Sequence, residues 1–172
     1  MKRTILFKLS ILRKIKKYLP HEVRLTYYNY FVKPHFDYCC SIWGNCNQGE
    51  VDKMIKLQKM AARLIMNADY SVPSIELFQK LNWKSFKYNV QFHQAMLVYK
   101  SLNHLAPSYM YDMFKLSEEN TSHRLRSAST RKLFIPRAHK NSIRHKGPAI
   151  WNSLSNATRE ASTLNQFKHN YV

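Results

Sequence analysis

The residues best suited to catalysis are few in this sequence, and they are scattered. Its ten carboxylates include one adjacent pair, Glu118 and Glu119, and nothing places that pair as a general acid and base or as a clamp for two metal ions. Three glycines in total are too few for a phosphate-cradling loop. The sequence therefore predicts a chain with no catalytic residues, which is not an enzyme by itself. An intact enzyme of unrecognised type is the least favoured alternative.

The nearest approach to a metal site is formed by His35, Cys39, Cys40 and Cys46. One helical turn separates His35 from Cys39, so both could face one zinc ion. No Cys-x-x-Cys pair is present, however, and the apolar neighbours suit buried free thiols better. We therefore expect no metal and no cofactor, with the cysteines as packing residues and zinc as the alternative.

Localisation is inferred from the same cysteines, because three thiols clustered within eight residues do not form a disulfide framework. They favour a reducing, intracellular setting, either nucleus or cytoplasm. No apolar run approaches the roughly 20 residues of a membrane span, so we expect no membrane partner. The first 20 residues contain no acid and are also compatible with a mitochondrial presequence, although Ser and Arg are sparse there.

Charge is the strongest signal in the composition. The chain has 28 Lys and Arg against 10 Asp and Glu, a formal net charge of +18. Such an excess repels itself in a free protein and is relieved by a polyanion, which makes nucleic acid the first candidate partner and an anionic membrane surface the second. The alternative is a protein that is merely basic. A small-molecule substrate is not indicated.

Two groups of basic residues could contact phosphates. The first is a stripe on a predicted helix over residues 50–66, where four cations fall within about a third of the circumference. The second is an arm in a stretch, Thr121 to Arg159, that contains no acid. A solvated helix face and a disordered linker are the respective alternatives. The predicted binding residues are Lys53, Lys56, Lys59 and Arg63 in the stripe, and Arg124, Arg126, Arg131, Lys132, Arg137, Lys140, Arg144 and Lys146 in the arm.

Hydrophobic periodicity predicts helices around both groups. A basic amphipathic helix over residues 4–19 should end at Pro20, and its predicted apolar side includes Tyr18. A helix from His21 should stop or kink at Lys33-Pro34, and another should begin near His35. Both lie partly in an aromatic stretch over residues 27–45 that we expect to form the core. A second long helix is predicted over residues 84–103, and Gly147-Pro148 should begin another.

The fold class that follows is mainly α: an irregular helical bundle with a basic, partly extended segment near residues 121–146. We predict three parts: a helical domain (1–116), a basic linker or arm (117–146), and a short C-terminal helical segment (147–172). We expect the last part to be truncated, because the chain ends soon after its final helix begins.

Landmarks spread over nearly the whole chain carry a family resemblance. They are Leu19-Pro20, Arg24-Leu25, Tyr28, Val32, Pro34, Tyr38, Ile42-Trp43-Gly44, Leu57-Gln58-Lys59, Ala61-Ala62-Arg63-Leu64-Ile65, Leu81-Asn82-Trp83, His93, Tyr99, Leu102, Pro107, Ile150-Trp151-Asn152-Ser153-Leu154 and Phe167-Lys168. In this order, they resemble the C-terminal region that follows the polymerase core in reverse transcriptases of non-LTR retrotransposons of the jockey, CR1 and L2 type. One departure is Leu154-Ser155, where the family commonly has Leu-Pro.

The resemblance implies a fragment of an RNA-directed DNA polymerase whose catalytic palm lies upstream. The palm's paired aspartates have no counterpart here. In that family the helical region beyond the palm acts as a thumb and a post-thumb extension that holds template RNA and the primed DNA end. The resemblance implies the same role for this chain, with residues 1–116 as the thumb-like domain, and the charge pattern agrees with contacts to backbone phosphates of RNA, DNA or both. The departure and the early stop suggest a decayed genomic copy. The alternative function is a helical protein-interaction or scaffold module with an acidic protein partner.

Overall fold

Helices form nearly all the regular structure in residues 2–117 and 131–171, which are the residues that the computed structural model describes. The predicted mainly α fold is confirmed. Where the partly extended segment is described, residues 131–140 are not helical, and Leu133 forms an isolated antiparallel bridge with Leu116. Over the same described ranges, no helix has both the length and the apolar character to cross a membrane.

The chain packs as two compact units, residues 1–89 and 90–172. The helices are α1 (Lys2–Ile15), α2 (His21–Tyr27), α3 (Lys33–Asp37), α4 (Cys40–Trp43), α5 (Gln48–Met66), α6 (Ser74–Lys80), α7 (Phe86–Leu102), α8 (Ser108–Tyr111), α9 (Ile143–Ser153), α10 (Asn156–Arg159) and α11 (Leu164–Asn170). The predicted boundaries at 116 and 146 do not coincide with this division, and residues 118–130 of the predicted linker lie outside the described residues. The three-part organisation stays a prediction.

The core of the first unit forms where α1 packs on α5. Helix α1 buries Ile5, Leu9 and Leu12, which recur at helical spacing. The predicted apolar side also included Tyr18, whose side chain is 85% exposed. A 3₁₀ turn over Lys16–Tyr18 replaces the α-helix after Ile15, and its different residue period turns Tyr18 away from the core.

The predicted stop or kink at Lys33-Pro34 takes the form of a π-helical turn, Tyr28–Val32, between α2 and α3. In the wider turn the Lys33 N–H donates to the carbonyl of Tyr28, and Pro34 then falls in the first turn of α3, where a missing N–H costs little. The helical path therefore continues through the proline, and α3 begins at Lys33 rather than near His35.

Only half of the aromatic stretch over residues 27–45 forms the predicted core. One side buries Tyr28, Val32, Phe36 and Cys40, each four residues apart. The other side leaves large groups in solvent: Tyr30, Phe31, Tyr38 and Ile42 are all more than half exposed. A helix that packs on one neighbour buries only the side that faces it. The prediction counted aromatic residues without regard to side, and therefore made the core too large.

His35 on α3 contacts Lys8 on α1, and this contact should make the stability of the fold sensitive to acid. Burial and the Lys8 ammonium, whose Nζ lies 2.7 Å from His35 Nε2, lower the pKa of the imidazole below its usual 6.5. Because the unfolded chain binds this proton more readily, stability is present above about pH 6.5 and is lost as the pH falls through the folded pKa. We expect His35→Asn to lose less stability than the wild type between about pH 7.5 and pH 5, measured by urea unfolding.

The Lys8→Met variant separates the two largest causes of the lowered His35 pKa. Removing the neighbouring ammonium should reduce the loss of folding stability in acid without abolishing it, because His35 is still desolvated by burial. An equal loss in the wild type and in His35→Asn would assign the acid sensitivity to other groups.

The second unit is built around fully buried Trp151, Tyr99 and Phe167. The indole of Trp151 donates to the carbonyl of Arg131 over 2.7 Å, and the Tyr99 hydroxyl donates to the carbonyl of Ala161 over 3.0 Å. The side chain of Asn152 bonds both the N–H and the carbonyl of Leu133, each over 2.8 Å. These bonds fix the extended backbone near residue 133 onto α9.

The prediction that Gly147-Pro148 begins a helix was wrong, because α9 begins one turn earlier, at Ile143. Ser142 is its N-cap and accepts from the Arg144 N–H, which supplies the start signal. Gly147 serves packing instead: a Cβ there would lie 2.9 Å from Phe114 Cε1 and 3.1 Å from Val98 Cγ2. The glycine therefore lets α9 approach its neighbours closely.

Candidate nucleic-acid interface

The predicted stripe lies on α5, the longest helix of the chain. Its first turn is fixed by Asn47, whose side chain accepts from the Glu50 N–H over 3.0 Å. Of the four cations, Lys53 and Lys56 are exposed and Lys59 and Arg63 are half-buried. At 1.5 Å per residue the stripe is about 15 Å long, which matches the rise of about four nucleotides in one strand.

The opposite side of α5 anchors the helix in the first unit. It buries an apolar set and also Gln58, a landmark of the resemblance that periodicity did not place on the buried side. The Gln58 side chain donates to the carbonyl of Lys84 over 2.9 Å and accepts from the Phe86 N–H over 2.8 Å. This pair of hydrogen bonds joins α5 to the start of α7 and so fixes the position of the helix that carries the stripe.

Few of the cations are neutralised within the protein. Across residues 2–117 and 131–171, the ion pairs are Lys33 with Asp37 and Lys53 with Glu50. The hydrogen bond from Lys53 lowers the pKa of the Glu50 carboxyl, and the charges of Lys53 and Lys2 act in the same direction. In the described part of the chain, Lys56 and Lys59 have no acidic partner. They are therefore the stripe residues most available to an external anion.

A cleft extends the stripe beyond the predicted residues. It encloses about 280 Å³ and is lined by Arg13, Lys16, Arg63 and Tyr70, with Met60, Leu64 and Ala68 as its other walls. Arg13 and Lys16 belong to the basic side of the first helix, which the sequence analysis described but did not assign to binding. The packing of α1 on α5 brings these cations beside Arg63.

The arm lies in the second unit, as far as it is described. Arg124 and Arg126 fall outside the described residues. Arg137, Lys140 and Arg144 are exposed, and Lys132 and Lys146 are half-buried. A second cleft, of about 270 Å³, is lined by Arg144 together with Lys115 and Asp112. An acidic lining residue makes this cleft less suited to phosphate than the cleft of the first unit, whose lining has no acid.

Arg131 is the arm residue most involved in the fold. Its backbone has φ of 47°, and its carbonyl accepts from Trp151. Its guanidinium Nη1 donates to the carbonyl of Arg159 over 3.4 Å. These contacts give Arg131 a packing role in addition to any contact with a ligand.

Arg159 is a buried cation that the sequence analysis counted only as part of the acid-free stretch. Its side chain is 3% exposed. Nη1 donates to the carbonyls of Asn152 and Leu154 over 3.1 and 2.8 Å, and Nη2 donates to the side-chain oxygen of Asn156. The guanidinium thus binds the carboxyl end of α9, where the helix dipole favours a positive charge. Its role is structural.

Each of the three tryptophans packs on another ring, but only Trp151 is buried. Trp43 stacks on Phe86 with centroids 5.3 Å apart, Trp83 stacks on Tyr28 at 4.4 Å, and Trp151 is fully buried. The exposed ring nearest the cations is instead Tyr70, whose centroid lies 5.3 Å from the Arg63 guanidinium carbon. Sequence periodicity gave no signal for Tyr70, because it lies in the connection after α5.

The cysteines are packing residues only in part, because Cys39 and Cys46 are exposed and Cys40 is buried. Burial, and then the charge of Asp37, raise the pKa of the Cys40 thiol to about 11. His35, the suggested fourth zinc ligand, instead contacts Lys8. In the described ranges, no three His, Cys, Asp or Glu side chains converge on a point that could hold a metal ion.

The arrangement on the first unit can bind an extended anion without reading its sequence. Point charges along one side of α5 match a line of phosphates, and the cleft adds arginine forks that can bond phosphate oxygens. The stripe and the cleft lining together contribute six cations, of which Lys53 is paired with Glu50. Comparison with models of protein families, with curated proteins and with solved structures found no match for this chain.

Proposed function

We propose that this chain is a non-catalytic, nucleic-acid-binding module that holds RNA or DNA by its phosphates. The proposal keeps the family resemblance: the chain would be the helical region beyond the palm of a non-LTR retrotransposon reverse transcriptase, and would support template and primer there. The observation that carries the proposal is the run of cations on one side of α5, of which Lys56 and Lys59 have no acidic partner among the described residues.

Counterion release is the physical basis of the proposal. Each cation that neutralises a phosphate releases condensed ions from the nucleic acid, and this term supplies most of sequence-independent binding. Arg13 and Lys16 extend the set of available cations beyond the stripe. The chain would therefore bind many sequences with similar affinity.

Competition between polyanions tests the proposal against a scaffold module with an acidic partner. Labelled single-stranded RNA would be displaced from the chain by unlabelled RNA, by duplex DNA or by heparin. We expect at least one nucleic acid to compete more strongly than heparin at equal charge concentration. Heparin competing as well as every nucleic acid would favour the scaffold reading.

A further inference from the structure

The cleft beside Arg63 combines two kinds of recognition group. Arg13 and Lys16 come from the end of α1 and the 3₁₀ turn after it, Arg63 comes from the last turns of α5, and Tyr70 comes from the connection that follows. Its volume of about 280 Å³ equals that of roughly nine water molecules at about 30 Å³ each. The cleft can therefore hold a phosphate and part of the adjoining nucleoside, but not a folded partner.

Its arginines keep unused donors. Arg63 Nη2 makes one long bond, 3.4 Å to the carbonyl of Val72, and the buried Arg63 Nε has no acceptor among the described residues. Arg13 Nη2 contacts only a weak acceptor, Met60 Sδ, at 3.6 Å. Asp69 precedes Tyr70 in the chain, but its carboxylate does not line the cleft. An anion with several acceptor oxygens would satisfy the terminal guanidinium nitrogens of the two arginines better than the protein does.

Tyr70 supplies a stacking surface at the edge of the cleft. Its side chain is 79% exposed, and the Arg63 guanidinium lies over the ring at 5.3 Å. A cation over one side of an aromatic ring holds the ring in place and leaves the other side free. Exposed aromatic rings beside cations are how sequence-tolerant proteins bind unpaired bases.

We propose that this cleft binds a single-stranded segment of nucleic acid, with a phosphate between Arg13, Lys16 and Arg63 and the neighbouring base on the ring of Tyr70. The inference rests on the proposed function and narrows its ligand. In a duplex each base is already stacked between its neighbours, so only a single strand can offer a base to Tyr70. The stripe on α5 contacts phosphates in either form, whereas the cleft distinguishes them.

Fluorescence anisotropy with three labelled probes tests this: an unstructured single-stranded RNA of about ten nucleotides, the single-stranded DNA of the same sequence, and the corresponding duplex. Tyr70→Ala should weaken binding of the single-stranded probes about tenfold and change duplex binding less than about twofold. Tyr70→Phe should bind like the wild type, because its ring stacks equally well. Tyr30→Ala is the matched control, since it removes another exposed tyrosine of the first unit that is 75% exposed.

Each outcome decides one of the two proposals. Equal losses for single strands and duplex on Tyr70→Ala, or no loss for any probe, would overturn the cleft assignment while wild-type binding still supports the proposed function. A wild-type chain that binds none of the three probes would overturn both. A loss on Tyr30→Ala as large as that on Tyr70→Ala would also overturn the assignment, because it would make the effect general to exposed rings.

Discussion

The double variant Lys56→Gln/Lys59→Gln should bind single-stranded RNA about 25-fold more weakly than the wild type at about 0.1 M salt. Each lost phosphate contact removes about one released counterion. For a single strand this lowers the binding constant at about 0.1 M salt by about 0.7 log units relative to about 1 M, so two lost contacts lower it about 25-fold. Both side chains point away from the buried side of α5 and lack an acidic partner in the described residues. Fluorescence anisotropy would give the two dissociation constants.

The matched control is Lys80→Gln/Lys87→Gln. These two lysines are also exposed, belong to the same unit and remove the same charge, but they lie on α6 and α7. If binding depends on the position of the charge, the affinity of the control variant for RNA should fall less than about threefold. Equal losses in both double variants would mean that net charge, rather than the α5 stripe, determines the affinity.

Arg159→Ala should lower the free energy of unfolding of the second unit by about 3 kcal/mol. The change leaves the carbonyls of Asn152 and Leu154 without their guanidinium donor, and each unsatisfied buried acceptor costs about 1 to 3 kcal/mol. Part of that cost is offset, because the alanine variant no longer has to desolvate a buried charge. Urea unfolding of the wild type and the variant, followed by tryptophan fluorescence, would measure the change.

Two further variants make the Arg159 prediction specific. Arg159→Lys should recover less than half of the lost unfolding free energy. A compact ammonium cannot reach both carbonyls and Asn156, as the planar guanidinium of Arg159 does. Arg144→Ala removes an exposed arginine from the same unit and should change stability by less than about 0.5 kcal/mol. A loss below about 1 kcal/mol for Arg159→Ala would contradict the capping role.

The α5 helix shows how much of the fold could be read from the sequence. Its acidic first turn, its apolar repeat and its basic stripe are local patterns, and local patterns specify a long amphipathic helix. The structure begins it two residues earlier than predicted, at Gln48, because Asn47 caps it. Gln58 was missed, since a buried amide pairs with backbone far along the chain and leaves no trace in periodicity.

The misplaced start of α9 has a different cause. A proline after a glycine is a common opening for a helix, so Gly147-Pro148 suggested one. The close approach of Gly147 to Val98 and Phe114 depends on tertiary packing, and that packing holds the helix through the proline. Ser142 was available as a start signal, but serine is frequent in this segment.

The candidate site was only partly predictable for the same reason. The stripe is one helical face, and the sequence therefore contains it whole. The cleft joins the end of α1 to the end of α5 and to Tyr70 in a connection, so it exists only once the two helices have packed. Arg159 and Arg131 were indistinguishable by composition from phosphate-binding arginines until their carbonyl partners were known.

The salt dependence of RNA affinity tests the central claim most directly. The claim requires that Lys56 and Lys59 each contact a phosphate and that Arg13, Lys16 and Arg63 together hold a third. For a single strand, the logarithm of the binding constant should then fall with the logarithm of salt concentration with a slope of about −2, roughly a twentyfold loss between about 50 and 200 mM. A slope shallower than about −1 would contradict phosphate contact as the basis of binding.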